Sequence, residues 1–295
     1  MAPSIVFSGG VVPTKIHDRC YDCLLGRIAY ECRLSTADEG RIGHVLSECH
    51  TLLEGFRRVP RPAPLVASAA HHRAYELLGD PDPYRHIKEV STREAARCCR
   101  AVRGSLATFR DFALASVIAN TFDYGVSSHR VTGDFPAYFS GEFRKGFLID
   151  DTGSMERLAG EVVYFTDNCG EILFDRLLIG YLAEKGSEVT VAVKGAPILN
   201  DATLADAETA GLPRVARVTT TGSGDIGVDL GKIPDDLREA LDRSTLVIAK
   251  GMANYEALTE CRDLPPTAYL MAVKCPTIAE SVGAPEGSLV AILDE

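Results

Sequence analysis

A carboxylate and a carboxamide stand side by side in the middle of the chain, at Asp167 and Asn168. They follow residues 162–165, a short apolar run rich in β-branched and aromatic side chains, which is typical of a buried parallel strand. Apolar residues at helical spacing come after Gly170 and predict a helix there. Asn168 can cap that helix, but the strand carries Asp167 to the edge where open α/β sheets bind ligands. Such a pair of hard oxygen donors suits Mg²⁺ or a similar cation.

A lysine follows each of three further predicted strands, at Lys194, Lys250 and Lys274, and Asp201 comes shortly after the first of them. Parallel strands point their carboxyl ends to one edge of a sheet, so these side chains should converge with Asp167. A single lysine at the end of a strand is usually a solvated loop residue. Three of them beside carboxylates, on an acidic protein, indicate that the carboxylates hold a divalent cation and the lysines hold phosphate oxygens.

Turn residues and polar side chains after the other strands reach the same edge. Gly222 and Asp225 lie in TTGSGD after the third strand, and Asn254 lies in KGMANYE after the fourth. Loop N–H groups and polar side chains in such positions can contact an anionic ligand. We therefore include these three among the candidate substrate- or phosphate-binding residues.

The elements that must position these residues change in kind along the chain. Apolar positions repeat at helical spacing through the first 120 residues without a strand pattern, which predicts a helical region. Five helices are expected there, at about 23–30, 42–56, 65–78, 83–107 and 109–119, with one more near 155–159. From residue 161 onward, strands alternate with helices. The predicted strands are 162–165, 189–193, 215–219, 246–249, 269–273 and 289–293.

This pattern predicts an α/β fold in which an N-terminal helical domain packs on a C-terminal α/β/α, Rossmann-like sandwich. Right-handed crossovers between the strands give a mostly parallel, doubly wound sheet. We place the helical domain at residues 15–150 and the metal- and phosphate-binding sandwich at 151–295. Residues 1–14 are expected to be an N-terminal extension.

Composition narrows the class of protein. The chain has 295 residues, 46% hydrophobic and 24% charged, as expected for a globular protein with sizeable cores. The formal net charge of −10 argues against a nucleic-acid partner, which needs a basic face. No apolar run reaches the length of a membrane span, and the first residues lack the basic start of a secretory signal. Nine irregularly spaced cysteines then favour a reducing cytoplasm over a disulfide framework.

Five segments, in chain order, resemble one known family: TDNCGE, KGAPILNDAT, TTGSGD, AKGMANYEAL and VKCP. This family is domain of unknown function 89, also described as metal-dependent damage-control phosphatases, with a eukaryotic branch described as acidic-residue methyltransferases. KIHDRCYDCLL, with its CxxC at Cys20 and Cys23, resembles the N-terminus of the prokaryotic branch. The resemblance covers about residues 15 to 295, and its motifs are specific in combination.

The resemblance implies roles for the central residues. Asp167, Asn168 and Asp201 would be the metal ligands, and Lys250 and Lys274 would contact phosphate. Asp167, Lys250 and Lys274 are then the candidate catalytic groups. Whether Asp167 is a ligand only or also attacks phosphorus stays open.

The resemblance also implies the activity and a contribution from the helical half. Asn120 and Asp123 resemble the family's Asn-x-x-Asp segment and would close the site as substrate-binding residues. The family hydrolyses phosphate esters of small metabolites with Mg²⁺ or with Co²⁺, Ni²⁺ or Mn²⁺. A small phosphorylated metabolite, such as a sugar phosphate, is therefore the expected partner.

The CxxC pair can be interpreted in three ways. A CxxC is half of a four-thiolate zinc site, with His17 three residues before Cys20, and Cys98–Cys99 could complete it across the helical region. Adjacent cysteines rarely bind one ion together, however, and the chain has no second CxxC. A structural metal site, a redox dithiol and simple packing all stay open for Cys20 and Cys23.

Two other functions compete with a phosphatase. An S-adenosylmethionine-dependent carboxyl methyltransferase would need a glycine-rich loop after its first strand, where this chain has Asp-Asn-Cys-Gly. A non-catalytic metal- or metabolite-binding protein would show no turnover on phosphoesters. The sequence favours the phosphatase and leaves the substrate unidentified.

Overall fold

Helices and strands alternate through the second half of the computed structural model, which describes residues 16–59, 61–121 and 135–295. The α-helices in these ranges are α1 (Asp18–Ser35), α2 (Glu39–Arg58), α3 (Ala63–Leu78), α4 (Arg85–Val102), α5 (Phe109–Asn120), α6 (Phe135–Lys145), α7 (Thr152–Leu158), α8 (Ile172–Glu184), α9 (Leu204–Ala210), α10 (Asp235–Arg243), α11 (Gly251–Leu258) and α12 (Pro276–Val282). The strands are β1 (Ile149–Asp150), β2 (Glu161–Phe165), β3 (Glu188–Val193), β4 (Arg217–Thr220), β5 (Leu246–Lys250), β6 (Thr267–Ala272) and β7 (Leu289–Asp294). Within the described ranges, no helix combines the length and the apolar character needed to cross a membrane.

The seven strands form one sheet in the order β1-β7-β6-β5-β2-β3-β4. Neighbouring strands are parallel except β6 and β7, which run antiparallel. The prediction of a mostly parallel sheet is confirmed, and its six strands lie within two residues of the observed bounds. The sequence pattern missed β1, which is two residues long and therefore shows no periodicity, and also α6.

Side chains of the sheet alternate between two buried layers. Val162 and Tyr164 of β2 face the core that contains residues of α5 and α8. Val163 and Phe165 face a second core, formed with residues of α10, α11 and α12. Because both faces are covered, the strands are almost wholly apolar, as expected for a parallel sheet. The predicted α/β/α sandwich is confirmed.

The first three helices form a third core, which includes Ile28, Val45 and Val66. Ile198 and the partly buried Ile226, from loops after β3 and β4, pack into the same core. The N-terminal helices therefore rest on the carboxyl ends of the strands. Helix α5 instead packs on α8 and β6, within the layer that covers the sheet. The division of the chain at residue 150 stays a prediction.

Helix α5 begins with a reciprocal cap that fixes where this layer starts. The Thr108 hydroxyl accepts a hydrogen bond from the backbone N–H of Asp111 at 3.2 Å, and the Asp111 carboxylate accepts one from the Thr108 N–H at 3.0 Å. Together they satisfy two donors that the first turn leaves without helical partners.

Thr108→Ala should destabilise the protein by about 1 kcal/mol and lower the Tm by about 2–4 °C, because the Asp111 N–H loses its acceptor. Differential scanning calorimetry measures the change. Thr51→Ala is the control, since Thr51 is exposed inside α2 and its hydroxyl donates to the Ser47 carbonyl of the same helix. Equal Tm values for the two variants would contradict the capping role.

Candidate active site

The site lies where the sheet topology changes direction. β2 has β3 on one side and β5 on the other, so a crevice opens at the carboxyl ends of β2 and β5. Asp167 follows β2, and Gly251 opens α11 after β5. Gly251 has a φ of 79°, and a Cβ there would lie 2.1 Å from the Asp167 Oδ2. The backbone after β5 therefore approaches the carboxylate so closely that only glycine fits.

Two loops bring the three predicted metal ligands together. Asn168 and Asp201 face each other in an isolated antiparallel bridge. The Cys169 N–H donates to the Asn200 carbonyl and the Ala202 N–H to the Asp167 carbonyl, each at 2.8 Å. The structure thus joins the loops that carry Asp167, Asn168 and Asp201 through their backbones.

The helical half supports the Asp201 loop. Leu199 has a φ of 47°, a left-handed conformation that is unfavourable for a residue with a side chain. Its N–H donates to the Tyr75 hydroxyl of α3 at 3.0 Å. Beside Tyr75, the buried Glu31 and His71 are paired at 2.8 Å. Contacts from α3 therefore stabilise the strained turn that presents Asp201.

Asn120 lies at the site, with both ends of its amide engaged by protein groups. Its Nδ2 donates to the Asp167 Oδ2 at 2.8 Å and to the Glu171 Oε2 at 2.6 Å. Its Oδ1 accepts from the Ala272 N–H at 3.3 Å. Asn120 was expected to bind substrate, and the structure places it as a buried link between α5, β6 and Asp167.

Lys250 is fully buried, and its ammonium donates to two carboxylates of the protein. The Nζ lies 3.0 Å from the Glu171 Oε1 and 2.7 Å from the Asp175 Oδ1. Asp175 Oδ1 also accepts from the Ser116 hydroxyl at 2.6 Å and the Tyr164 hydroxyl at 2.9 Å. Burial lowers the pKa of Lys250, but the two carboxylates outweigh burial, and the pKa is raised overall. The sequence analysis expected this ammonium to contact phosphate.

Sequence reasoning missed Glu171 and Asp175, although both lie four residues apart at the start of α8. A carboxylate in the first turn of a helix is common, because it complements the helix dipole, so neither stands out in the sequence. The available signal was the spacing itself, which puts both on one face of α8. Both side chains contact Lys250, the last residue of β5.

Among the described residues, acidic side chains outnumber basic ones around Asp167 and Asp201. Five acidic and four basic side chains interact there: Asp167, Glu171, Asp175, Asp201, Asp206, Lys88, Lys194, Lys250 and Lys274. Burial, followed by the charges of Glu171 and Asp201, raises the pKa of Asp167 well above its usual range, with Lys274 opposing. Burial also raises the pKa of Asp201, against the charge of Lys194. A divalent cation would neutralise the excess acid.

The other two candidate lysines differ in exposure. Lys194 is buried, donates to the Gly227 carbonyl and lies 3.5 Å from the Asp201 Oδ2. Lys274 is exposed, close enough to Asp167 for its charge to lower the pKa of that carboxylate. Within the described ranges, the Lys274 ammonium has no hydrogen-bond or ion-pair partner. Lys274 is therefore the candidate lysine that is available to a ligand.

The remaining candidates after β4 and β5 make structural contacts. Gly222 has a φ of 80°, and a Cβ there would lie 2.0 Å from the Lys232 carbonyl oxygen. Asp225 accepts from the Ser223 hydroxyl and the Lys232 ammonium, both at 2.7 Å. Asn254 is buried, and its Nδ2 donates to the carbonyls of Thr166 at 3.0 Å and Lys250 at 2.8 Å. Their roles toward a substrate stay predictions.

Three predicted site residues remain: Asp123, Cys20 and Cys23. Asp123 is outside the described residues. Cys20 and Cys23 lie in the first turns of α1, which contacts α12 through an Arg19–Glu280 ion pair at 3.0 Å. Both thiols are free. Among the described residues, no three His, Cys, Asp or Glu side chains are grouped as a metal site.

The fold itself occurs in a solved structure. The fold matches the crystal structure of a DUF89 family protein from Pyrococcus horikoshii with a TM-score of 0.87 and 27% sequence identity, over 95% of this chain and 99% of that one. The match defines the class: an N-terminal helical region on a DUF89-type α/β/α sandwich.

The sequence comparisons then identify the family. The family model for the damage-control phosphatase ARMT1-like domain matches residues 16–290, and the chain belongs to this family. A damage-control phosphatase of Archaeoglobus fulgidus is 39% identical, over 94% of this chain and 98% of that protein. One of Pyrococcus horikoshii is 30% identical, over 94% and 97%. The predicted family and its phosphatase function are confirmed at this level, whereas the CxxC branch stays a prediction.

Gly251→Ala should displace the Asp167 carboxylate and weaken binding of Mn²⁺, because the new Cβ would overlap it. Gly287→Ala is the matched control: Gly287 has a φ of 85°, but its Cβ would meet no atom within 4 Å. Both substitutions add similar backbone strain, and Gly251→Ala also carries the overlap with Asp167, so its Tm should fall further. Calorimetric titration with Mn²⁺ separates them, and equal affinities would contradict the contact at Asp167.

Proposed function

We propose that this protein is a metal-dependent phosphatase that hydrolyses phosphate monoesters of small metabolites. The observation that carries the proposal is the meeting of Asp167, Asn168 and Asp201 in two loops joined by backbone hydrogen bonds. Lys274 supplies an exposed positive charge beside them. A phosphoryl group is recognised by this combination of a cation site and a cationic side chain.

The donor chemistry fits a hard divalent cation. Carboxylate and carboxamide oxygens are the ligands that Mg²⁺ and Mn²⁺ take, and Co²⁺ and Ni²⁺ also accept them. The excess of acidic over basic side chains is a second reason to expect a bound cation, since a buried uncompensated charge is unfavourable. When bound, such a cation polarises a phosphoryl oxygen and activates or orients water.

The lysines divide the remaining work in this proposal. Lys274 contacts the phosphoryl oxygens and neutralises the charge that spreads over them in the transition state. Lys250 holds Glu171 and Asp175 in place, since its ammonium is already bonded to both. Lys194 restrains Asp201 in the same way. The expected partner is a small phosphorylated metabolite, and a cytoplasmic location fits its supply.

Metal removal is the first test of this function. Chelation with EDTA followed by desalting should abolish hydrolysis of p-nitrophenyl phosphate, and Mg²⁺, Mn²⁺, Co²⁺ or Ni²⁺ should restore it without S-adenosylmethionine. A panel of phosphometabolites then gives the substrate preference. Full activity after metal removal, checked by elemental analysis, would contradict the proposal. Methyl transfer in place of hydrolysis would support a methyltransferase.

Lys274→Ala should reduce kcat on the order of 10²–10³, because a preorganised charge acts mainly in the transition state. KM should change less, since uniform binding would appear in KM alone. Lys185→Ala is the control, as this exposed lysine lies at the end of α8 opposite the site. Steady-state kinetics on one good phosphoester decide, and wild-type kcat in Lys274→Ala would remove this lysine from the mechanism.

A further inference from the structure

Glu171 connects the buried lysine to the predicted metal ligands. One of its oxygens, Oε1, accepts from the Lys250 ammonium at 3.0 Å. The other, Oε2, accepts from the side-chain amides of Asn120 at 2.6 Å and Asn168 at 3.0 Å. The same two amides donate to the Asp167 Oδ2, at 2.8 and 3.0 Å. Within the described ranges, the two side-chain amides that donate to the Asp167 carboxylate therefore both donate to Glu171 as well.

These contacts determine which way the Asn168 amide faces. The Asn168 Nδ2 donates to the Asp167 Oδ2 and to the Glu171 Oε2, so the NH₂ group of Asn168 points to these two oxygens. The Oδ1 is then the polar atom of the side chain left for a cation. If the amide turned over, its oxygen would face two carboxylate oxygens at about 3 Å, which is repulsive.

Asn120 cannot replace Glu171 in this role. Its own amide is oriented from both ends, with Nδ2 on the two carboxylates and Oδ1 on the Ala272 N–H. Asn120 therefore presents only N–H donors to Asp167 and Glu171, and its one acceptor is turned to the Ala272 N–H. The acceptor that holds the Asn168 NH₂ from the side of α8 is Glu171, three residues along the chain.

We propose that Glu171 is a positioning residue that fixes the Asn168 amide with its oxygen toward the cation. Lys250 holds Glu171 in place by donating to its other oxygen at 3.0 Å. The inference rests on the proposed function, because it gives the metal site a second set of contacts. Partners that orient a metal ligand in this way typically change metal affinity by about 10- to 100-fold when they are substituted.

Glu171→Gln tests the proposal, with Asp175→Asn as its matched control. Each variant removes one negative charge from the Lys250 ammonium, but only Glu171 contacts Asn120 and Asn168. Calorimetric titration with Mn²⁺ should show affinity about 10- to 100-fold lower in Glu171→Gln. Asp175→Asn should lose much less. Equal losses would show that charge alone matters and would overturn the proposal.

A double-mutant cycle removes the dependence on any one variant. Asn168→Asp replaces the NH₂ donor by a carboxylate oxygen. This oxygen conflicts with the Glu171 carboxylate, but it can accept a hydrogen bond from the side-chain amide in the Glu171→Gln background. Asn168→Asp should therefore improve Mn²⁺ affinity at least about tenfold more in the Glu171→Gln background than in the wild type. The same effect in both backgrounds would overturn the proposal. The proposal would also be overturned if Glu171 were itself a metal ligand. The double variant would then recover no Mn²⁺ affinity.

A metal-free measurement separates this inference from the proposed function. The side-chain NH₂ resonances of Asn120 and Asn168 should shift in Glu171→Gln and stay near their wild-type positions in Asp175→Asn. If the wild type bound no Mn²⁺ while these resonances behaved as expected, the phosphatase proposal would fail and the orienting contact would stand. Unchanged resonances in Glu171→Gln would overturn the contact whatever the metal does.

Discussion

The burial of the Lys250 ammonium constrains the arrangement around it. A charged amine with 0% exposure needs charged and hydrogen-bonded partners, because an uncompensated buried charge is very unfavourable. Glu171 and Asp175 of α8 supply them, and Ser116 of α5 and Tyr164 of β2 complete the shell of Asp175. Residues of α5, α8, β2 and β5 therefore form one hydrogen-bonded network around the Lys250 ammonium. Removing one member of such a buried pair typically destabilises a protein by about 3–5 kcal/mol.

The contacts of Lys250 with Glu171 and Asp175 also restrain the loops that carry the predicted metal ligands. The start of α8 is held by Lys250, so the loop between β2 and α8 that carries Asp167 and Asn168 has little freedom. On its other side, Gly251 brings the backbone of α11 against Asp167. The Tyr75 contact to Leu199 fixes the Asp201 loop from the helical half. The three oxygen donors are therefore preorganised by elements from every layer, which is what a functional site needs for fixed geometry.

The sequence predicted the sheet and the convergence of loops well, for a simple physical reason. Buried parallel strands are short apolar runs, and the residues after them share one edge, so Asp167, Asn168 and Asp201 could be grouped before any coordinates. β1 and the antiparallel direction of β7 could not be predicted, because two residues have no period and an apolar run carries no direction. Asn254 and Gly222 were assigned to the site because they follow strands. Position alone cannot distinguish a residue that stabilises a loop from one that contacts a ligand.

Lys250 shows why one residue of strand length matters. The sequence pattern ended the strand at residue 249, which made Lys250 a loop residue free to reach phosphate. The strand continues through Lys250, so its side chain follows the alternation of Leu246 and Ile248 into the layer of α5 and α8. Lys274 comes two residues after β6 ends and is exposed. Two lysines with the same sequence signature therefore have opposite environments: the Lys250 ammonium contacts two carboxylates in the interior, whereas Lys274 is exposed.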